Sequence, residues 1–118
     1  MAYLFESFAG WKAYSQEKNM ALPEVVMEYE QHQRNRTREE IIEGLAKALA
    51  VMKDAVRTGL EEDMTSRSGM INNGAKKVYR YPTPVLSKEF QQLISRALAA
   101  KEVNSCMGRV VAAPTAGA

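Results

Sequence analysis

The residues that could do chemistry fall mainly in two stretches. One is the C-terminal run Glu102-Val-Asn-Ser-Cys-Met-Gly-Arg-Val-Val-Ala-Ala-Pro-Thr-Ala-Gly-Ala118. Its opening continues a helical pattern until Gly108, Arg109 to Ala113 is short and mostly apolar, and Pro114-Thr115-Ala116-Gly117 is a turn of small residues. Pro114 fixes its own φ and donates no N–H, while Gly117 lets the backbone take positive φ or approach a ligand closely. Backbone N–H groups in such a turn can converge on an anion such as a carboxylate. An ordinary Pro-Gly turn explains the same residues, so at this level both readings stand. The other stretch, Met64-Thr-Ser-Arg-Ser-Gly-Met70, is short, polar and glycine-containing.

Single reactive side chains carry less. His32, the only histidine, lies between Gln31 and Gln33 on the polar side of an expected helix, with no cysteine, histidine or carboxylate pair at ligand spacing. A solvated residue fits it better than a general base or metal ligand. Cys106, the only cysteine, cannot form an internal disulfide and so fits a reducing cytoplasm; one thiol without a C-x2-C partner cannot hold an iron–sulfur cubane either. Arg34, Arg36 and Arg38 are interleaved with polar residues and have no aromatic neighbour to stack a base, which is weak support for nucleic-acid binding. A formal net charge of +2 argues the same way. Trp11, alone of its kind, is expected to pack against its helix's neighbours.

The elements that must position these residues read as helices. Leu4, Phe8, Trp11 and Ser15 line one face of a helix from Tyr3 to about Lys18, weakened by Gly10 and stopped by Asn19 and Met20. Pro23 suits the first turn of a second helix reaching about Gln33, which Asn35 interrupts. Thr37-Arg38-Glu39-Glu40 has the form of a capping box. From it the stripe Ile41, Leu45, Ala48, Met52, Ala55, Val56, flanked by Ile42, Leu49 and Val51, predicts a central helix over Arg38–Thr58. Glu43 and Lys47 form an i,i+4 pair on its outer face, and Gly59 suits its C-terminal cap. The three acidic residues Glu61 to Asp63 should face water, Ala75 to Val78 should be a short helix, and Pro82 and Pro84 should bracket a loop. Ser87 can cap a last helix from Lys88 to about Lys101, with Phe90, Ile94, Ala97 and Leu98 as its buried face and Leu93 beside them. The expected fold is therefore all-α, a multi-helix domain of four to six helices. A chain of 118 residues with 46% hydrophobic and 25% charged content has room for one soluble domain, has no run long enough for a membrane span, and has no basic segment before an apolar core at its start.

Glu102-Val103-Asn104, Met107-Gly108 and Ala112-Ala113-Pro114-Thr115-Ala116-Gly117, together with Ser66, Ser68 and Gly69, resemble segments of the iron–sulfur-dependent L-serine dehydratases, in particular the α chain of the two-chain bacterial form. The likeness runs through most of the chain. Where many relatives carry Thr-Gly-Gly-Asp, this sequence has Ile71-Asn72-Asn73-Gly74. The resemblance implies conversion of L-serine to pyruvate and ammonia with a [4Fe–4S] cluster and without pyridoxal phosphate, and a β chain as partner. It implies α chains much longer than this one, so that residues 1–118 correspond to the N-terminal portion of the catalytic domain, with cluster-ligating cysteines beyond the Pro-Thr-x-Gly turn. Truncation would also account for the Ala/Gly-rich end, and apolar surface exposed there would favour self-association. The substrate-positioning residues it implies are Ser66, Ser68, Gly69, Asn104, Met107, Gly108, Pro114, Thr115, Ala116 and Gly117; it implies no catalytic base and no metal ligand within these residues. On this reading the two glycine-bearing loops lie close together, and the chain alone is inactive. A self-contained helical interaction domain is the alternative.

Overall fold

The computed structural model describes residues 4–112. Five helices follow one another: α1 (Phe8–Lys18), α2 (Leu22–Arg34), α3 (Arg38–Glu61), α4 (Gly74–Arg80) and α5 (Lys88–Ser105). The described residues contain no strand, only an isolated antiparallel bridge between Thr65 and Asn72. The all-α expectation is therefore met. None of the described helices is long and apolar enough to cross a membrane. The chain forms two compact units, Met1–Ala46 and Lys47–Ala118.

In the first unit, helix boundaries follow local chemistry. Ser7 Oγ accepts the Gly10 N–H at 3.1 Å, so α1 begins at Phe8 and not at Tyr3. Asn19 and Asn35 end α1 and α2 in the left-handed region, at φ 51° and 48°, which asparagine tolerates better than most residues. Pro23 sits in the first turn of α2, as expected. The capping box is complete: Thr37 Oγ1 accepts the Glu40 N–H at 3.2 Å, and Glu40 Oε2 accepts the Thr37 N–H at 2.9 Å. Helix α1 buries no residue, and Phe8, expected on its buried face, is exposed. Packing comes instead from Phe5, which stacks on Tyr29 with centroids 4.7 Å apart and on Trp11 at 6.3 Å. Val25 is fully buried. Trp11 also borders an apolar groove with Leu22, Val26, Met27, Ile41 and Leu45.

Helix α3 runs three residues beyond the expected Thr58, through Gly59. This residue does not cap the helix. It is buried within it, and a Cβ there would lie 2.5 Å from the Ala99 carbonyl oxygen and 2.7 Å from the Ala99 Cα. Glycine is used here so that α3 and α5 can approach backbone to backbone. The expected spine of α3 is only partly realised, since Ala55 is buried while Leu45, Leu49 and Met52 are exposed among the described residues.

Helix α5 corrects the sequence reading most clearly. Its buried face is Gln91, Ser95, Ala99, Glu102 and Val103, whereas Phe90 and Leu93 are 50% and 62% exposed and Ala97 is also exposed. Two of the buried polar side chains, Gln91 and Ser95, donate to backbone carbonyls. Gln91 Nε2 donates to the carbonyls of Val78 and Tyr81, tying α5 to the end of α4, and Ser95 Oγ donates to Gln92 O at 2.9 Å. Ser87 Oγ accepts the Phe90 N–H at 3.2 Å, which confirms its capping role. The helix continues past Lys101 to Ser105, adding the turn that carries Glu102 and Asn104.

Candidate substrate-positioning site

Between α3 and α4, the chain from Asp63 to Asn73 folds back on itself. Ser66 and Ile71 face each other: the Ser66 N–H donates to Ile71 O at 3.0 Å, and the Ile71 N–H donates to Ser66 Oγ at 3.1 Å. The Gly69 N–H closes the tip onto Ser66 O at 2.9 Å with Gly69 at φ 75°, a backbone state that glycine adopts without steric cost. Ser66 Oγ and Ser68 Oγ are 3.2 Å apart. Whichever hydroxyl donates across that gap, the other keeps its own O–H to offer outward. The pair can therefore present one hydroxyl donor to a ligand carboxylate or hydroxyl.

The stem of this loop rests on residues that the sequence reading did not single out. Asn73 Oδ1 accepts the Met64 N–H at 2.9 Å, the Asn73 N–H donates to Met64 O at 2.9 Å, and Asn73 Nδ2 donates to Asp63 Oδ1 at 2.9 Å. Thr65 Oγ1 also donates to Asp63 Oδ1, at 2.8 Å. The Asn73 amide and the Thr65 hydroxyl beside it hold the Asp63 carboxyl below its ordinary range. Asn73 itself stands at φ 55°. The Asn73-Gly74 dipeptide was a legible turn signal. Asp63 appeared only as part of an acidic run, and Arg57 pairs with the other two members of that run, Glu61 and Glu62.

The second candidate segment follows α5. Val103 O accepts the Gly108 N–H at 2.7 Å and Asn104 O accepts the Met107 N–H at 3.2 Å, the paired bonds of a Schellman ending. The left-handed position falls on Met107, at φ 64°, and its side chain is 92% exposed. Gly108 takes the next place, where a Cβ would sit 2.9 Å from Val103 O. Asn104 is exposed on the last turn of α5. Pro114, Thr115, Ala116 and Gly117 lie outside the described residues, so the geometry of that turn forms no part of the site described here.

One apolar cluster joins the bases of the two segments. Met64, two residues before Ser66, is buried with Ala55 and Val103, and Cys106 and Val110 pack against them. A hydrogen bond makes a second connection, from the Ala75 N–H just after the loop to Glu102 Oε1 at 3.1 Å. The described residues do not fit an iron–sulfur cluster. Cys106 is a half-buried single thiol in the apolar cluster, and no group of three or more His, Cys, Asp or Glu side chains among them could hold a metal ion. His32 is exposed and lies 3.5 Å from Gln33 Nε2, a surface position.

The family model described as "Serine dehydratase alpha chain" matches residues 17–118. The "Probable L-serine dehydratase, alpha chain" of Bacillus subtilis (strain 168) is 33% identical over 106 residues, which is 87% of this chain and 35% of that protein. The "L-serine dehydratase, alpha chain" of Peptoniphilus asaccharolyticus is 30% identical over 104 residues, 86% of this chain and 36% of that protein. The chain thus spans about a third of the length of these relatives. No solved structure matches it.

Proposed function

The chain belongs to the serine dehydratase α-chain family, and on that premise we propose that it is the N-terminal portion of an L-serine dehydratase, supplying the loops that orient the substrate. The observation that carries this reading is the family match, which runs through both candidate segments. The reaction removes the α-proton and the β-hydroxyl of serine; the resulting enamine tautomerises to the imine, and water hydrolyses it to pyruvate and ammonia. A fixed carboxylate keeps the breaking bonds aligned, and donors already aimed at developing charge need no rearrangement as it forms.

The Ser66–Ser68 pair meets that requirement. Its scaffold is fixed by the Ser66–Ile71 bonds and the Gly69 turn, and the Ile71 N–H and the Ser66–Ser68 contact hold the two hydroxyls in place. Asn104 would donate from the end of α5, with Met107 and Gly108 walling that side and the Thr115–Gly117 backbone as further donors. The [4Fe–4S] cluster that the family resemblance implies would be held by sequence outside this chain, because the donors among the described residues do not match one. The β chain would then join the complete assembly.

Two measurements test the reading. The complete enzyme should release pyruvate from L-serine, and residues 1–118 alone, iron-loaded under anaerobic conditions, should not. In the complete enzyme, S68A should raise KM for serine by about tenfold, the equivalent of one hydrogen bond to a charged group. Pyruvate release by the isolated chain would overturn the reading of it as an inactive portion, and an S66A/S68A double variant with unchanged kinetics would remove the positioning role.

A further inference from the structure

Glu102 is the single buried charged side chain among the described residues, at 5% exposure. One of its oxygens is occupied and the other is not. Oε1 accepts the Ala75 N–H at 3.1 Å across 27 positions of sequence, while Oε2 is buried with no partner among the described residues. The approach is close, since a Cβ on Gly74 would lie 2.6 Å from Oε1 and would crowd it. Gly74 directly follows Asn73, whose side chain and N–H close the stem of the serine loop. On the other side, Glu102 directly precedes Val103, whose carbonyl anchors the Gly108 turn.

A buried carboxylate with a single hydrogen bond is poorly compensated for its lost hydration. A donor to the second oxygen would relieve that cost. Resting on the function proposed above, we infer that Glu102 is a positioning residue for serine binding: Oε1 sets the serine loop against the Asn104–Gly108 turn, and Oε2 accepts a donor N–H or O–H in the assembled active site. Glutamate suits the position because both of its oxygens accept. Glutamine offers one acceptor and one NH2 group, so it can serve Ala75 or the second donor but not both.

The test uses the complete enzyme with E102Q, E102A and G74A, read by hydrogen exchange over residues 63–75 and by steady-state kinetics. G74A keeps the carboxylate but crowds Oε1 away from the Ala75 amide, so it decides the matter if the Glu102 variants fail to fold. We expect all three to speed exchange over 63–75 and to raise KM for serine by about tenfold or more, with kcat changed less. Wild-type exchange and KM in E102Q and E102A would overturn the inference. A normal E102Q beside a defective E102A would overturn the requirement for two acceptors. A fall in kcat at unchanged KM would reduce Glu102 to a structural part. If the wild-type enzyme does not deaminate serine, the proposed function fails by itself, and the exchange measurement still decides whether Glu102 holds the loop.

Discussion

Met107 and Gly108 occupy each other's expected places. In a Schellman ending glycine normally takes the left-handed position, yet here methionine stands at φ 64° and glycine follows it. A left-handed residue with a Cβ is strained by about 1–2 kcal/mol. M107G should therefore stabilise the protein by about 1 kcal/mol, seen as a higher urea midpoint at unchanged slope. G108A should do the reverse, because its Cβ would crowd Val103 O at 2.9 Å and Val103 Cγ1 at 2.5 Å. Asp63 makes a prediction about acid. Its carboxyl titrates below the ordinary range in the folded protein because Asn73 and Thr65 donate to it. A depressed folded pKa adds stability above the unfolded value and loses it as pH falls through the folded one. The urea-midpoint difference between wild type and D63N should thus be constant near neutrality and shrink at pH values below the ordinary carboxylate range.

Two glycines in one helix give opposite forecasts at the scale of the element. Gly44 has nothing within 4 Å of where a Cβ would be, and Gly59 has the Ala99 backbone at 2.5–2.7 Å. G44A should stabilise α3 by about 1 kcal/mol through helix propensity. G59A gains the same propensity and still should destabilise by about 1–3 kcal/mol, because α3 and α5 must separate to admit the methyl group. Equal signs in paired denaturation curves would show that the close approach carries no energy. The contrast also marks how much was legible beforehand. The Thr37–Glu40 box, the Asn19 and Asn35 stops and the Ser87 cap were readable because each is settled within a few residues of itself. The buried face of α5 was not, because Gln91 is satisfied by carbonyls of Val78 and Tyr81 and Glu102 by the Ala75 amide. No apolar periodicity reports such partners. Gly59 was misread because a helix-ending glycine and a helix-crossing glycine look alike in sequence. In the candidate site, Ser66, Ser68 and Gly69 were named through family likeness, while Asp63 and Asn73, which shape their loop, became visible only through long-range bonds.

At the scale of the whole chain, the two units are built on different kinds of packing. Residues 1–46 rest on ring contacts around Phe5 and on one fully buried valine, Val25, with α1 burying nothing. Residues 47–118 have the Ala55–Met64–Val103 cluster, the Gly59–Ala99 contact, and buried hydrogen bonds from Gln91 and to Glu102. Local opening free energy follows buried apolar contact and protected hydrogen bonding. Amides of α1 and α2 should therefore exchange through openings of lower free energy than those of α4 and α5, and should lose protection first as urea is added. Val25→Ala should widen the gap by removing about 1–3 kcal/mol of buried contact from the first unit alone. Protection that falls equally over α2 and α5 in that variant would mean the chain opens as one cooperative body. Residues 63–75 would then owe their order to the entire chain, whereas independent opening would leave the serine loop and its Glu102 support intact while α1 frays.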